Sequence, residues 1–305
     1  MSVIHRKSLL STVVDQVNVR LVRRMVQRRR EQDAPRMFLA PDDYIGETIL
    51  AEILFEKGYL NALDAVLGRC GIGGGDGDVA LDIGANIGNH SLHFAQRFAR
   101  VHSFDPNPMI SRVLEANILL NDLSNVSVHR VGLSDAEETL PYVQHDSNLG
   151  GSGFLRDGHI PDEAGARLQG DIPLRHAGRF VEELLEEGQT VRLIKIDVEG
   201  LEDKVLNGLR DVIATHKPLL LVEVTGDAVG RRVRDLIAEF GYDPLQEIFN
   251  DLRFGSDPLP MRFLRAASAG VTYRLRPLKG FEDRIYPMTI TAPRGLLAEK
   301  GLIDA

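Results

Sequence analysis

The chain has 305 residues, of which 43% are hydrophobic and 26% charged, proportions that are ordinary for a globular protein with one sizeable core. Aromatic residues make up 6% and tryptophan is absent, which argues against a surface that stacks sugars or single-stranded nucleic acid on aromatic rings. Residues 1–36 carry nine Lys and Arg against three acidic residues, so the net charge of −8 leaves −14 on the remainder. This acidic remainder argues against nucleic acid as the main partner.

Cysteine content and hydropathy suggest where the protein works. Cys70 is the single cysteine, so no internal disulfide forms and a reducing cytoplasm fits the chain. No apolar run reaches the roughly 20 residues that span a bilayer. Asp15 and Arg20 interrupt the one early segment that resembles a signal peptide. We therefore expect a cytoplasmic location, with membrane association left open by the basic N-terminal region.

The first predicted element is a helix whose apolar residues recur at steps of four, three, four and four: Leu10, Val14, Val17, Leu21 and Met25. Arginines crowd its other faces and its C-terminal end. One interpretation is that the helix packs on its own body or on a second subunit in a homodimer. The other is peripheral membrane contact through residues 1–36, with the helix lying on an anionic surface as a basic amphipathic helix. A further helical region is predicted over residues 41–70.

A glycine-rich loop at 71–78 separates this helical extension, residues 1–70, from a core over residues 71–245. In the core, five predicted strands alternate with four predicted helices, a pattern typical of a Rossmann-like, doubly wound α/β domain with a mostly parallel sheet. The strands are expected at 79–83, 101–104, 126–131, 191–196 and 219–224, and the helices at 89–98, 109–120, 201–215 and 228–240. The interval 144–178 is polar and glycine-rich, which predicts a mobile lid or binding loop. The segment 246–305 is expected to complete the sheet, with strands at 273–275 and 288–290, or to cover the binding site.

The clearest functional signal follows the first strand and reads Leu81-Asp82-Ile83-Gly84-Ala85-Asn86-Ile87-Gly88. The two glycines permit a tight turn and a close backbone approach to a ligand. Asp105 follows the next strand, at an interval typical of an acid that binds ribose hydroxyls. A dinucleotide would need glycine where Asn86 stands, and the charge of Asp82 repels a pyrophosphate but suits a cationic aminopropyl group. The pattern therefore favours S-adenosylmethionine over NAD, with these predicted contacts: Asp82, Gly84, Ala85, Asn86, Gly88 and Asp105.

Three motifs together resemble the FkbM family of methyltransferases in order and spacing: the turn above, Phe104-Asp105-Pro106-Asn107-Pro108, and Ile194-Lys195-Ile196-Asp197-Val198-Glu199-Gly200. The resemblance covers residues 78–243, and Asn148–Gly153 looks like the family's Gly/Ser loop. It implies a class I methyltransferase fold with a seven-stranded sheet, S-adenosylmethionine as donor, and O-methylation of a saccharide, lipid-linked or secondary-metabolite acceptor. Two departures stand out. The family commonly has Glu where Asp105 stands, and His176-Ala177-Gly178 replaces its usual Thr-Leu-Asp.

Asp197 and Glu199 end the fourth strand beside the predicted donor site, and we expect one of them to take the acceptor's hydroxyl proton or to orient the acceptor. The alternative is that Asp197 binds the methionine part and Glu199 caps the next helix. Asp135 follows the third strand, where related folds hold the adenine, and is predicted either as a cofactor contact or as a turn residue. No third acidic ligand accompanies Asp197 and Glu199, so no metal is predicted.

Four further residues are weaker candidates: His90 for the methionine carboxylate, His145 and His159 for the acceptor, and Glu223 for the cleft or for pairing with Lys195. Two other functions remain open. One is an NAD(P)-dependent oxidoreductase, which Asn86 in place of glycine disfavours. The other is a protein that binds S-adenosylmethionine without turnover.

Overall fold

The computed structural model describes residues 9–39, 44–52, 54–145, 152–154, 166–225, 227–250, 271–278, 280–282 and 284–304. His159 and residues 148–151, which carry two of the expectations above, lie outside these ranges. The strands in chain order are β1 (Asp78–Ile83), β2 (Arg100–Phe104), β3 (Val126–His129), β4 (Gly132–Ser134), β5 (Glu138–His145), β6 (Gly153–Phe154), β7 (Ala166–His176), β8 (Thr190–Ile196), β9 (Leu219–Thr225), β10 (Gln246–Asn250), β11 (Tyr273–Pro277) and β12 (Ile285–Thr291). The helices are α1 (Leu9–Glu31), α2 (Tyr44–Glu52), α3 (Lys57–Cys70), α4 (Asn89–Phe94), α5 (Pro108–Leu120), α6 (Ala177–Leu184), α7 (Glu202–Gly208), α8 (Arg210–His216), α9 (Asp227–Glu239) and α10 (Leu296–Glu299).

The main sheet has the strand order β11-β10-β12-β9-β8-β1-β2-β3. Strands β3, β2, β1, β8 and β9 run parallel, and β12 enters antiparallel between β9 and β10. This confirms the Rossmann-like, doubly wound α/β fold. The sheet has eight described strands rather than seven, because β11 pairs antiparallel along the outer edge of β10, from Asn250 opposite Tyr273 to Gln246 opposite Pro277. The carboxyl ends of the parallel strands meet at one edge, where ligands bind in such sheets.

Helices cover both faces of the sheet, so its central strands are apolar on both sides. Leu193 and Ile194 are neighbours in β8 and point to opposite faces. Leu193 packs with α3 and α10, and Ile194 packs with α6 to α9. Each such fully buried aliphatic side chain contributes roughly 1.5–3 kcal/mol relative to an exposed one. The two layers hold the strand ends, and therefore the site, on a rigid base.

The interval 144–178, predicted as a mobile lid or binding loop, contains regular strands among its described residues. Its described residues include the end of β5, β6, all of β7 and the start of α6, and a second sheet forms with the order β4-β7-β5-β6. The long β5–β7 pairing runs antiparallel from Glu138 opposite Leu174 to His145 opposite Ala166. α6 begins just after His176, whose ring nitrogen Nδ1 accepts from the amide of Arg179 at 3.5 Å and so serves as the N-cap.

Two helix boundaries also differ from the sequence-based expectation. The helix predicted over 201–215 is divided into α7 and α8 at Leu209. Gly208 lies so close to β4 that a Cβ there would overlap the backbone of Ser134, and this contact coincides with the break. The helix predicted over 89–98 ends at Phe94.

Helix α1 lies on the outside of the molecule. Val14, Val17, Leu21 and Met25, the predicted packing stripe, have 43–49% of their surface exposed. The interpretation that this stripe packs on the chain's own body is therefore wrong for these four residues. Among the described helices, none is both long and apolar enough to cross a bilayer.

Candidate functional site

The turn after β1 is built by backbone hydrogen bonds to the next strand. The amides of Gly84 and Ala85 both donate to the carbonyl of Phe104 at 2.9 Å. Gly84 and Asn86 have positive φ values of 77° and 49°, and a Cβ on Gly84 would overlap the carbonyl oxygen of Asp197. Glycine is therefore required at this position both for its backbone conformation and for the close approach of β8. Gly88, with φ 96°, begins α4 as its N-cap.

Asp105 extends from the carboxyl end of β2 into this turn, as predicted. Its two carboxylate oxygens accept from the amides of Asn86 and Asn107 at 3.0 and 2.9 Å. Burial raises the pKa of Asp105 to about 6, although the two amide hydrogen bonds favour its charged form. The carboxyl group lines a cavity beside Asn86 and Phe104. Its position is suited to accept hydrogen bonds from a diol.

Lys195 is the centre of a buried ion cluster beneath the turn. Its ammonium lies 3.3 Å from a carboxylate oxygen of Asp82, 3.3 Å from one of Asp197, and donates to the carbonyl of Gly84 at 2.7 Å. Burial alone would lower the pKa of Lys195, but the charges of Asp197, Asp82 and Glu223 raise it above its usual value. Lys195 is therefore a cation that joins β1, β8 and the turn.

Asp82 does not line the cavity, which corrects its predicted contact with the aminopropyl end of the donor. Its side chain is fully buried, bound to Lys195 and accepting from the hydroxyl of Ser91 at 2.5 Å. Asp82 shares its register position with Ser103 on β2 and Lys195 on β8, so it lies within the sheet layer. Its negative charge acts on the site through Lys195.

The loop after β8 carries the two predicted catalytic carboxylates, and both line the cavity. Glu199 has a positive φ of 51°, which is unusual for a residue with a side chain. Burial, with the charges of Asp197 and Glu202, raises the pKa of Glu199 to about 8. Asp197 keeps 29% of its side chain exposed and pairs with Lys195. The loop therefore presents one ion-paired carboxylate and one whose proton leaves near neutral pH.

Glu202 holds this loop in place and was not foreseen from the sequence. Its carboxylate accepts from the amides of Gly200 and Val198 at 2.9 and 3.3 Å, and its side chain is fully buried. Burial raises the pKa of Glu202 to about 7 despite these amide donors. Glu199 thus does not cap the helix after Gly200, because Glu202 at the start of α7 satisfies the loop amides. The sequence signal for this role was the presence of an acidic residue three positions after Glu199.

The second sheet forms the opposite wall of the cavity. Tyr142 and Phe154 pack edge to face, with their ring centroids 5.2 Å apart. The hydroxyl of Tyr142 donates to the carbonyl of Ser152 at 3.4 Å. A Cβ on Gly153 would lie 2.8 Å from that of Glu199, so β6 and the β8 loop are in direct contact. These residues and the β8 loop line one cavity, whose non-atom space is about 610 Å³ when the open solvent at its mouth is included.

Asp135 is separate from this cavity, and the prediction that it contacts the cofactor is not supported by its position. It lies just after β4 and accepts from the side-chain amide of Asn207 at 3.0 Å, within a different surface depression beside α7 and α9. The turn-residue interpretation fits this position. Ser134 is likewise buried away from the cavity, donating to Glu138 at 2.6 Å.

His90 and Glu223 lie close to the ion cluster. Burial, with the charge of Lys195, lowers the pKa of His90 to about 3, so the ring is neutral at physiological pH. Its Nε2 lies 4.0 Å from a carboxylate oxygen of Glu56. Burial, followed by the charges of Asp197, Glu199 and Glu56, raises the pKa of Glu223 well above its usual value. Within the described residues, no group of three or more His, Cys, Asp and Glu side chains is arranged to hold a metal ion.

Comparisons with known proteins agree with this architecture. A model of the Methyltransferase FkbM domain matches residues 82–244. Methyltransferase sdnD of Sordaria araneosa is 32% identical over 154 aligned residues, covering 42% of this chain and 59% of sdnD. The AMB antimetabolite synthetase AmbE of Pseudomonas aeruginosa is 30% identical over 253 aligned residues, covering 70% of this chain and 12% of AmbE. A solved FkbM methyltransferase from Methylobacillus flagellatus KT has a TM-score of 0.36 and 22% identity, covering 73% of this chain and 51% of that one. The chain thus spans less than two thirds of each of these relatives.

Proposed function

Because the chain belongs to the FkbM family of methyltransferases, we propose that it transfers a methyl group from S-adenosylmethionine to the hydroxyl oxygen of a small acceptor. The observation that carries the proposal is that three carboxylates line one cavity: Asp105, which follows β2, and Asp197 and Glu199, which follow β8. A carboxylate suited to a ribose and carboxylates suited to a reacting hydroxyl therefore lie within reach of a single bound donor. Saccharide, lipid-linked and secondary-metabolite hydroxyls are the proposed acceptor classes.

The residues that line the cavity fit the proposed donor in their chemistry. Asp105 is held by two amides and lines the cavity, and its carboxylate is of the kind that binds ribose hydroxyls. Gly84 lies in the cavity wall, where the absence of a Cβ lets the Asp197 carbonyl approach the turn. Apolar side chains of Phe104, Ile110 and Phe154 line the cavity where an adenine would need them. The second sheet then excludes water from the donor.

The two carboxylates of the β8 loop have different proposed roles. When bound, S-adenosylmethionine supplies an electrophilic methyl carbon on a sulfonium sulfur. Glu199, with a pKa of about 8, is closer in basicity to a hydroxyl and takes its proton as the acceptor oxygen bonds to that carbon. Asp197, held by Lys195, orients the acceptor through hydrogen bonds. The electron pair of the broken carbon–sulfur bond stays on sulfur, and the hydroxyl proton ends on Glu199.

The first experiment is calorimetric titration of the purified chain with S-adenosylmethionine, with its demethylated product and with NAD. We expect micromolar binding of the two methionine nucleosides and none of NAD. Asp105→Ala should abolish binding, whereas Asp135→Ala, a carboxylate outside the cavity, should leave it unchanged. Binding of NAD, or equal effects of the two substitutions, would contradict the proposed donor site.

A second experiment separates transfer from binding alone. Purified protein is incubated with labelled donor and a panel of hydroxylated acceptors, and label in the product is measured. Turnover that Glu199→Gln suppresses while donor binding persists supports the proposed proton acceptor. Donor binding with no turnover on any acceptor in the panel would instead favour the alternative of a non-catalytic binding protein.

A further inference from the structure

Helix α1 exposes an unusual amount of apolar surface for an arginine-rich helix. Seven of its bulky side chains have 39–56% of their surface exposed: Val14, Val17, Val19, Leu21, Val22, Met25 and Val26. Exposed apolar side chains that are contiguous commonly mark an interaction surface, whereas scattered ones do not. Their arrangement on the helix decides between these two cases.

At 3.6 residues per turn, the seven side chains form two adjoining stripes. Val14, Val17, Leu21 and Met25 follow steps of three and four, and Val19, Val22 and Val26 follow the same steps alongside. The opposite arc of the helix carries Arg20, Arg23 and Arg24. The helix therefore has a broad apolar face and a basic face, although Asp15 and Asn18 lie within the apolar face and the arginines at the C-terminal end blur the division.

The C-terminal turn of α1 is fastened to the rest of the molecule. Arg29 donates to the carbonyl of Ile49 in α2 at 2.7 Å and to that of Pro35 at 2.8 Å. The exposed apolar residues lie along the turns that precede this attachment. The helix is thus attached at one end and presents its apolar face along most of its length.

Charge distinguishes between the partners that an apolar face could have. Residues 9–31 carry six arginines against Asp15 and Glu31, a net charge of +4, whereas residues 32–305 carry −14. Pairing α1 with α1 of a second copy would bring two such cationic helices together, which is unfavourable. An anionic bilayer offers acyl chains to the apolar face and negative charge to the arginines, and it repels the acidic body.

We propose that α1 is a peripheral membrane-docking helix that lies in the headgroup region of an anionic bilayer. The valines, Leu21 and Met25 enter the acyl boundary, and Arg20, Arg23 and Arg24 lie at the phosphate level, where long side chains extend toward the headgroups. This inference does not rest on methyl transfer, because it uses only the surface of α1 and the charge of the chain.

The test is co-sedimentation of the full chain with phosphatidylglycerol-containing vesicles and with pure phosphatidylcholine vesicles. We expect binding to the anionic vesicles that weakens with added salt, and little binding to the neutral ones. Replacing Arg20, Arg23 and Arg24 by Gln should weaken the anionic binding roughly 100-fold, because each arginine near the membrane surface contributes about a fivefold change in affinity. Leu21→Gln with Met25→Gln should weaken it as well, since glutamine preserves helix propensity while removing apolar contact.

The matched control removes the same charge from the body by replacing Arg112, Arg179 and Arg274, all exposed, by Gln. We expect this control to bind anionic vesicles as the unmodified chain does. The proposal is overturned if the full chain does not bind anionic vesicles, or if the control loses as much binding as the helix variant. It is also overturned if Leu21→Gln with Met25→Gln dissociates a dimer in sedimentation velocity without changing vesicle binding, because a second copy would then cover the face. Far-UV circular dichroism verifies that each variant is folded.

Discussion

Lys195→Met is the substitution that most directly tests the buried ion cluster. The Lys195 side chain is 5% exposed, and its ammonium faces Asp82, which is fully buried. Removing the cation leaves that carboxylate in a low-dielectric environment with only the Ser91 hydroxyl as a donor. Loss of one partner from such a buried pair costs about 3–5 kcal/mol. Asp197 adds little to this figure, because its side chain is 29% exposed and water can solvate it.

The assay is urea unfolding, in which a shift of the midpoint at constant m reports the change in unfolding free energy. Lys204→Met is the matched control, because Lys204 also pairs with one carboxylate, that of Glu138 at 2.8 Å, but both side chains are a quarter to a third exposed. We expect the control to lose only about 0.2–1 kcal/mol. The contrast between the two lysines isolates the effect of burial.

A double-mutant cycle sharpens the test. Asp82→Asn removes the buried negative charge, so the variant with both Lys195→Met and Asp82→Asn should be more stable than Lys195→Met alone, with a coupling energy of about 1–3 kcal/mol. If the two substitutions are additive, or if Lys195→Met costs no more than Lys204→Met, then Asp82 and Lys195 do not form the interaction described above and the reasoning is refuted.

Three further predictions follow from the same loop and turn. The pH profile of kcat/KM should rise with a midpoint near 8 as Glu199 loses its proton, and Glu199→Gln should remove this rise; an unchanged profile would contradict its role as base. Folding raises the pKa of Glu202 to about 7, so its contribution to stability is complete below about pH 4 and is lost as the pH rises through 7. Between pH 4 and pH 8, the free energy of unfolding measured in urea should therefore fall by roughly 2–4 kcal/mol less in Glu202→Gln than in the unmodified chain. Parallel plots of stability against pH for the two proteins would refute this. Gly84→Ala should lower the free energy of unfolding by more than about 3 kcal/mol, because the new Cβ overlaps the Asp197 carbonyl. Gly71→Ala, where φ is also positive at 64° but the space is open, should lower it by about 1 kcal/mol. Equal losses would show that the overlap is relieved.

The central sheet could be predicted because its strands are short apolar runs that alternate with amphipathic helices, and both patterns are local. Asp105 and Glu199 could be placed at the site because they follow strands whose ends meet at one sheet edge. Asp82 shows the limit of this reasoning. The sequence places it near a strand end, but only the neighbouring strands reveal that its side chain faces Lys195 rather than the cavity.

The second sheet could not be predicted for a related reason. Gly170 and Pro173 interrupt β7, so its sequence is typical of a loop, and the strand is stabilised by pairing with β5 more than twenty positions earlier. Asp135 was misplaced because β4 contains only three residues and carries the chain from the cavity to the depression beside α7 and α9. Tyr142 and Phe154 were missed because they belong to strands that were not foreseen.

The second sheet has a consequence for how relatives of this chain diversify. Its strands enter between β3 and α6, and they contribute one wall of the cavity, whereas β1, β2 and β8 contribute the opposite wall. An insertion or exchange between β5 and β7 alters the surface that an acceptor meets without disturbing the turn at Gly84 or the ion cluster around Lys195. Under the proposed function, acceptor choice can therefore change through this one sheet while the proposed donor site around Gly84 is kept.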